Sequence, residues 1–366
     1  MKNFPYLKRL GALAALLASF FLASGGALAD EKTKLIVGVL SITGHAKMFV
    51  AQEQGFFAKE NLEVELPLFT SSSDIIAAFR AEKLDVAATG VAALLSHISH
   101  GQDAVIIAGA MGQDSMYITR AENAHTIKSL EDVRGKKVAV VRTAIGDVVL
   151  RWALDQRGIK WGKDTEPFEL KNPAAVIEAV KKGEVDVGAI WGPYDRGLEE
   201  KGLAVVLRSE ELLPGHPCCR IALRTEDLNA RPEVWVRFLR AVLKAERYSH
   251  SDDPEHRANT VADIAKYVRL DKELIRNAFY EAALDQTTDP NANGIQIIWD
   301  VMNNTKIIDS GDDIQKFVEP GPYRSALESL IREEPNDPFW VQALATLNER
   351  DAAAKGGGRS NTHWQR

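Results

Sequence analysis

One nine-residue phrase occurs twice in this chain, and the step between its copies constrains the fold more than any other feature. Residues 82–90 read EKLDVAATG and residues 183–191 read GEVDVGAIW. Leu84-Asp85-Val86 thus returns as Val185-Asp186-Val187, a step of 101 residues (186 − 85). The same step carries Phe69-Thr70, ahead of Ser71-Ser72-Ser73, onto Leu170-Lys171, ahead of Asn172-Pro173. It also carries the helix-like stretch 74–81 onto 175–182 and the apolar run 35–40 onto 136–141. Elements of matching type at a fixed step mark a duplicated structural unit. Short runs rich in Val and Ile suit buried parallel strands. Helices joining parallel strands make right-handed crossovers. Each copy is therefore expected to be a small α/β lobe, read as strand, helix, strand, helix, strand.

Length and charge bound the rest. A chain of 366 residues has room for two domains with an ample core. The first 29 residues read as an export signal. Lys2, Lys8 and Arg9 form a basic start, residues 10–22 an apolar stretch too short to span a bilayer, and Ala27-Leu28-Ala29 a cleavage site. The formal charge is −6, and losing three cations and no acid with residues 1–29 leaves −9. An acidic exported protein without Lys/Arg clusters is a poor partner for nucleic acid or anionic membranes. The two cysteines, Cys218 and Cys219, are adjacent, so no disulfide framework is available. Whether they are reduced, bridged or bound to something is open at this level.

The strand-like runs, in order, are 35–40, 62–66, 86–89, 104–108, 114–120, 136–141, 168–170, 185–190, 203–207 and 219–223. After Thr225 the pattern turns helical, with helices expected over 232–249, 254–269, 271–283, 294–302 and within 319–333; the tail 351–366, with Gly356-Gly357-Gly358, reads as disordered. The ordered series GHAKMFVAQEQGFF, LFTSSSDIIAAFRAEKLDVAATG, SLEDVRGKKVAV and KKGEVDVGAIWGPY, behind a signal segment, resembles the periplasmic substrate-binding proteins of ABC importers. The branch it resembles is the nitrate/sulfonate/taurine type, which includes binders of thiamine-pyrimidine precursors. The resemblance implies the two-lobed α/β fold of type II periplasmic binding proteins, each lobe a mixed, mostly parallel sheet flanked by helices. It implies lobe one over 30–116 and 224–350, with the C-terminal helices, and lobe two over 117–223.

Ligands of open α/β sheets sit beyond the carboxyl ends of the strands, so the strand-to-helix turns are the candidate ligand contacts. In lobe one these are Ser41, Thr43 and His45, then Ser71, Ser72 and Ser73, then Thr89 and Gly90. In lobe two they are Arg142, Thr143, Ile145 and Gly146, then Asn172, then Trp191 and Tyr194. Free N–H groups at helix starts and the Arg142 guanidinium favour an anion. The same serines and Asn172 could instead cap their helices, and Arg142 could pair with a surface carboxylate. His216, Cys218 and Cys219 near the return crossing are further candidate contacts, with packing, metal binding and Cys/His catalysis as the other roles their chemistry permits.

The expected protein is therefore a periplasmic, monomeric solute receptor, with an inner-membrane ABC permease as partner and no cofactor, metal, nucleic acid or catalysis. Its expected ligand is a small organic anion, a sulfonate first, with a thiamine-type pyrimidine as the alternative. A secreted Cys-dependent enzyme and a periplasmic sensor are the readings from other classes.

Overall fold

The computed structural model describes residues 32–282 and 284–355; the expected signal segment and residues 356–366 lie outside them. The strands are β1 (Thr33–Leu40), β2 (Leu62–Glu65), β3 (Leu68–Phe69), β4 (Val86–Gly90), β5 (Val105–Gly112), β6 (Ser115–Arg120), β7 (Lys137–Val141), β8 (Glu166–Leu170), β9 (Val187–Trp191), β10 (Leu203–Arg208) and β11 (Pro217–Leu223). They build two sheets, one ordered β2-β1-β4-β11-β5 with β3 also beside β1, the other ordered β10-β6-β9-β7-β8. In the first, β1 runs parallel to β2, β3 and β4, whereas β11 runs antiparallel to β4 and β5. In the second, β7 runs parallel to β8 and β9, whereas β6 runs antiparallel to β9 and β10.

The repeat is a repeat of contacts as well as of letters. Val37 pairs with Val86 and Gly38 with Ala87; one step on, Val138 pairs with Val187 and Ala139 with Gly188. Just before β4, Asp85 Oδ2 accepts the Ile36 N–H at 2.8 Å; just before β9, Asp186 Oδ2 accepts the Lys137 N–H at 2.9 Å. Each aspartate also donates its own N–H to the carbonyl of the same residue, Ile36 or Lys137. The carboxylate thus extends the parallel ladder by a rung where the strand has not yet begun, which is why Asp stands in both copies. The following helices match too, Ser72–Arg80 and Pro173–Lys181, capped by Ser71 on the Asp74 N–H and by Asn172 on the Ala175 N–H. Asp85→Ala removes that rung and strips Arg231 of a partner at 3.3 Å. A loss of about 1–2 kcal/mol in urea unfolding, with an unchanged denaturant slope, is the expected result.

Gly55 at φ 69° turns the chain between the helices Ala46–Glu53 and Phe56–Lys59. Two local expectations are corrected. The strand Pro217–Leu223, placed at the end of lobe two, lies inside the first sheet because β4 and β5 both offer it ladder partners. Residues 351–355, expected as disordered tail, continue the helix Pro338–Lys355, where Asp351 pairs with Arg324 at 2.9 Å.

The C-terminal half packs on the first sheet. Phe238, Trp299, Leu327 and Trp340 share one apolar core with Val37, Val86 and Ile106. Residues 285–289 lie as a ribbon along the free edge of β5. Gly112 and Asp285 exchange backbone hydrogen bonds, and Gly109 donates to the Thr288 carbonyl at 2.7 Å. The ribbon covers what would otherwise be an exposed edge strand. The same core takes in Ile145, Val148 and Val149 of the helix Ile145–Gln156, which follows β7 of the second sheet. The two sheets thus meet through this helix.

Candidate ligand-binding site

The chain crosses between the sheets at Gln113-Asp114 and returns through the segment before β11. Both crossing residues adopt left-handed backbone, at φ 64° and 77°, conformations that L residues adopt rarely and Asn and Asp more readily than most. The crossings are stitched together where Gln113 donates its N–H to the His216 carbonyl at 3.0 Å. Around this seam several polar atoms are shut from solvent with no well-formed hydrogen bond among the described residues: His45 Nε2, Asp114 Oδ2, Ser115 Oγ and His216 Nε2.

Geometry links them. Thr43, Gly44 and His45 form a buried turn after β1, with the Met111 side chain filling the space a Gly44 side chain would need. His45 accepts the Leu40 N–H on Nδ1 at 3.1 Å, which leaves the proton on Nε2, the nitrogen that faces Cys219. Against β5 the register of β11 shifts on both sides of Cys219. This bulge brings the Cys218 and Cys219 sulfurs to 3.9 Å, where a flat strand would send consecutive side chains to opposite faces. Both thiols are free. Cys219 is the more acidic of the two, because the Cys218 thiol donates to it and His45 faces it; Cys218 is pushed up by the same contact and by burial. His216 is held down to about 4 chiefly by burial, so it is neutral at ordinary pH.

Asp114 accepts the Gly192 N–H. Any side chain at Gly192 would meet Asp114 Oδ1 at 2.7 Å, so glycine lets the carboxylate lie against that backbone. Burial, and then the charges of Asp195 and Cys219, raise this acid to about 8. Ser115 stands opposite Trp191 in the β6–β9 register, and its side chain abuts Gly146. The Trp191 and Tyr194 rings meet edge to face at 6.3 Å on either side of Gly192-Pro193. A void of about 10 Å³, room for about one water, lies beside Asp114 among Gly192, Asp195, Arg208 and Glu210.

Of the residues expected from sequence, Thr43, His45, Gly146, Trp191, Tyr194, His216, Cys218 and Cys219 lie around this seam. Others are committed elsewhere. Ser41 donates to the Tyr267 carbonyl at 2.7 Å. Ser71 and Asn172 are helix caps, Ser72 accepts the Gly90 N–H at 3.0 Å, and Thr89 is buried beneath Ser72. Arg142 is exposed and pairs with Glu169 at 3.5 Å, the surface role that was its alternative. Ile145 is core. Ser73, with the helices that follow β3 and β4, and Thr143, in the turn after β7, line a separate, solvent-open hollow of about 410 Å³. Although larger, that hollow holds none of the four unpartnered atoms named above.

Both helix starts expected to take an anion already hold a carboxylate. Asp74 accepts the Ser71 hydroxyl at 2.8 Å, and Asp147 accepts the Thr143 N–H at 3.3 Å while pairing with Arg151 at 2.6 Å. Among the described residues no group of three or more His, Cys, Asp or Glu could hold a metal ion, and no helix is long and apolar enough to cross a membrane. Asp114, Ser115 and Gly192 were not expected from sequence. The only sequence signal for Asp114 is an acid at the start of an extended crossing.

A family model described as the NMT1-like family matches residues 28–265. A Brucella abortus protein named only as a binding protein is 27% identical over 299 residues, spanning 79% of this chain and 90% of that one. The taurine-binding periplasmic protein of Escherichia coli is 27% identical over 226 residues, 60% of this chain and 68% of its own. Among solved structures, the periplasmic nitrate-binding protein NrtA of Synechocystis superposes with a TM-score of 0.69 at 17% identity, covering 82% of this chain and 89% of that one. The aliphatic sulphonate binding protein SsuA of Escherichia coli does so with a TM-score of 0.66 at 20% identity, covering 80% and 99%. These two likenesses establish a shared periplasmic-binding-protein fold.

Proposed function

The chain belongs to the NMT1-like family, and from that premise we propose that it is the substrate-binding component of an ABC importer. It captures a small organic solute between its two sheets and presents the closed form to a permease by hinge closure. One observation carries this reading: the seam buries Asp114 Oδ2, Ser115 Oγ and His216 Nε2 without protein partners among the described residues. Each such group left unpaired costs about 1–3 kcal/mol, a cost that a ligand bound at closure removes. Proteins with this fold and with related sequences are named for taurine, aliphatic sulphonate and nitrate, so a sulfonate is the first ligand to test. A heteroaromatic solute is the second, and the Trp191–Tyr194 pair supports it. Binding without chemistry is the reading for the thiols, since Cys219, the more acidic one, is only 2% exposed.

Protein stripped of ligand by unfolding and refolding should be stabilised by a member of a panel of taurine, alkanesulfonates, nitrate, bicarbonate and pyrimidine-type thiamine precursors. At 100 times its dissociation constant a ligand adds about 2.7 kcal/mol, a rise of roughly two degrees or more in melting temperature. A melting temperature unmoved by the whole panel counts against the reading.

A further inference from the structure

We infer that the solute carries an amino group, or another cationic N–H donor, that seats on the Asp114 carboxylate beside the Trp191–Tyr194 pair. The inference rests on the importer reading and narrows it to a class of ligand. Three observations point the same way. First, Asp114 Oδ2 is shut from solvent with no hydrogen-bond partner among the described residues, and its neighbour Gly192 is shaped to let the carboxyl group in. Second, the charges that act most on Asp114 are of its own sign: Asp195, Cys219 and Glu210 all raise it, while of the two arginines lining the void, Arg196 and Arg208, the former lies 3.7 Å from Asp195. A buried carboxylate among other acids is poorly placed to receive an anion and well placed to receive a donor with positive charge. Third, the adjoining residues have the chemistry that recognises organic cations. Trp191 and Tyr194 flank Gly192, and aromatic faces attract ammonium and protonated heterocycles. Ser115, 1% exposed, brings an unpartnered hydroxyl beside them.

Neither expected ligand class is excluded by this, because both have amine-bearing members. An aminosulfonate would set its ammonium on Asp114. An aminopyrimidine would set its exocyclic amine there and its ring against the aromatic pair. A sulfonate or pyrimidine without the amine would leave Asp114 as it is, buried and unpaired.

The test uses matched probes on refolded, ligand-free protein: taurine against ethanesulfonate, and 4-amino-2,5-dimethylpyrimidine against 2,4,5-trimethylpyrimidine. Affinities are read by calorimetry for the wild type and for Asp114→Asn, which suits the left-handed backbone at this position; Asp114→Ser serves if the first variant does not fold. The wild type should favour the amine-bearing member of at least one pair by about tenfold or more, and the variant should lose that preference. Equal affinity within both pairs, or a preference that survives Asp114→Asn, overturns the inference while leaving the importer reading standing. If no probe binds, small molecules released on denaturing wild type purified without refolding are identified by mass spectrometry. A released basic amine supports the inference, and a released solute lacking any N–H overturns it. No released solute and no bound probe overturn the importer reading together with the inference.

Discussion

Ligand-free protein carrying Asp114→Asn is expected to be more stable than the wild type at pH 7–8, by roughly 2 kcal/mol or more. In the unfolded chain this carboxyl ionises near its ordinary value of 3.8, whereas in the folded protein it is raised to about 8 by burial, then by Asp195, Cys219 and Glu210. Between those values the unfolded state releases a proton that the folded state holds. The stabilising contribution of the wild-type carboxyl is therefore whole below about 3.8 and lost as pH rises through about 8. Asparagine does not ionise, keeps an acceptor for the Gly192 N–H and tolerates φ 77°. The gap between the two proteins should open above pH 4 and level off above pH 8. His216 has the opposite slope. Its folded value of about 4 lies below the unfolded 6.5, so its contribution is present above 6.5 and lost as pH falls toward 4. It is common to both proteins and cancels in the difference. Urea unfolding at unit pH steps measures the gap. A gap that stays flat with pH would mean that Asp114 ionises in the folded protein as it does in the unfolded chain. On the proposed reading, the substitution that stabilises the empty protein is the one that removes amine recognition, a cost of a binding residue held ready without its ligand.

Gly109→Ala is expected to destabilise by on the order of 3 kcal/mol or more, for a reason confined to backbone. A methyl at this position would fall far inside contact with the Asp289 carbonyl oxygen and 3.0 Å from that of Thr287. Flexible side chains can yield; these two carbonyls belong to the ribbon that covers the edge of β5. To admit the methyl, the ribbon must give up the Gly109-to-Thr288 hydrogen bond. The anchors on either side go with it: Arg350 on Asp289 at 2.9 Å, and Thr288 on Glu246. The buried Arg220, which donates to the Met111 carbonyl at 3.0 Å, would lose the nearby charges of Asp285 and Asp289. Gly311→Ala, where the new methyl meets nothing within 4 Å, is the control and should stay within about 0.5 kcal/mol. Thermal unfolding of both variants checks the pair. A mild effect at Gly109 would show that the ribbon is loosely held.

Much of the molecule was legible from its residues because the signals are local. Alternating and continuous apolar runs mark strands and helices through burial alone. The Asp85 and Asp186 phrase reports a real rung, since a carboxylate one residue ahead of a parallel strand meets the neighbouring N–H in both copies. Family membership is likewise carried by ordered local motifs. The candidate seam was only half legible. His45, Trp191, Tyr194, His216 and the two cysteines could be listed because they end or begin elements. Ser71, Asn172 and Arg142 share that position yet serve as caps and a surface pair. A side chain at a turn has several partners within reach, and packing selects among them. Asp114 was not legible at all. Its chemistry is made by Gly192, Asp195, Glu210 and Cys219, some 80 to 100 residues along the chain, and by the exclusion of water when the sheets meet. Pattern and propensity are properties of neighbours in sequence, and they determined the two-lobed architecture. Desolvation and unpaired charge exist only once distant segments have closed on one another, so the environment of Asp114 was decided by the tertiary structure.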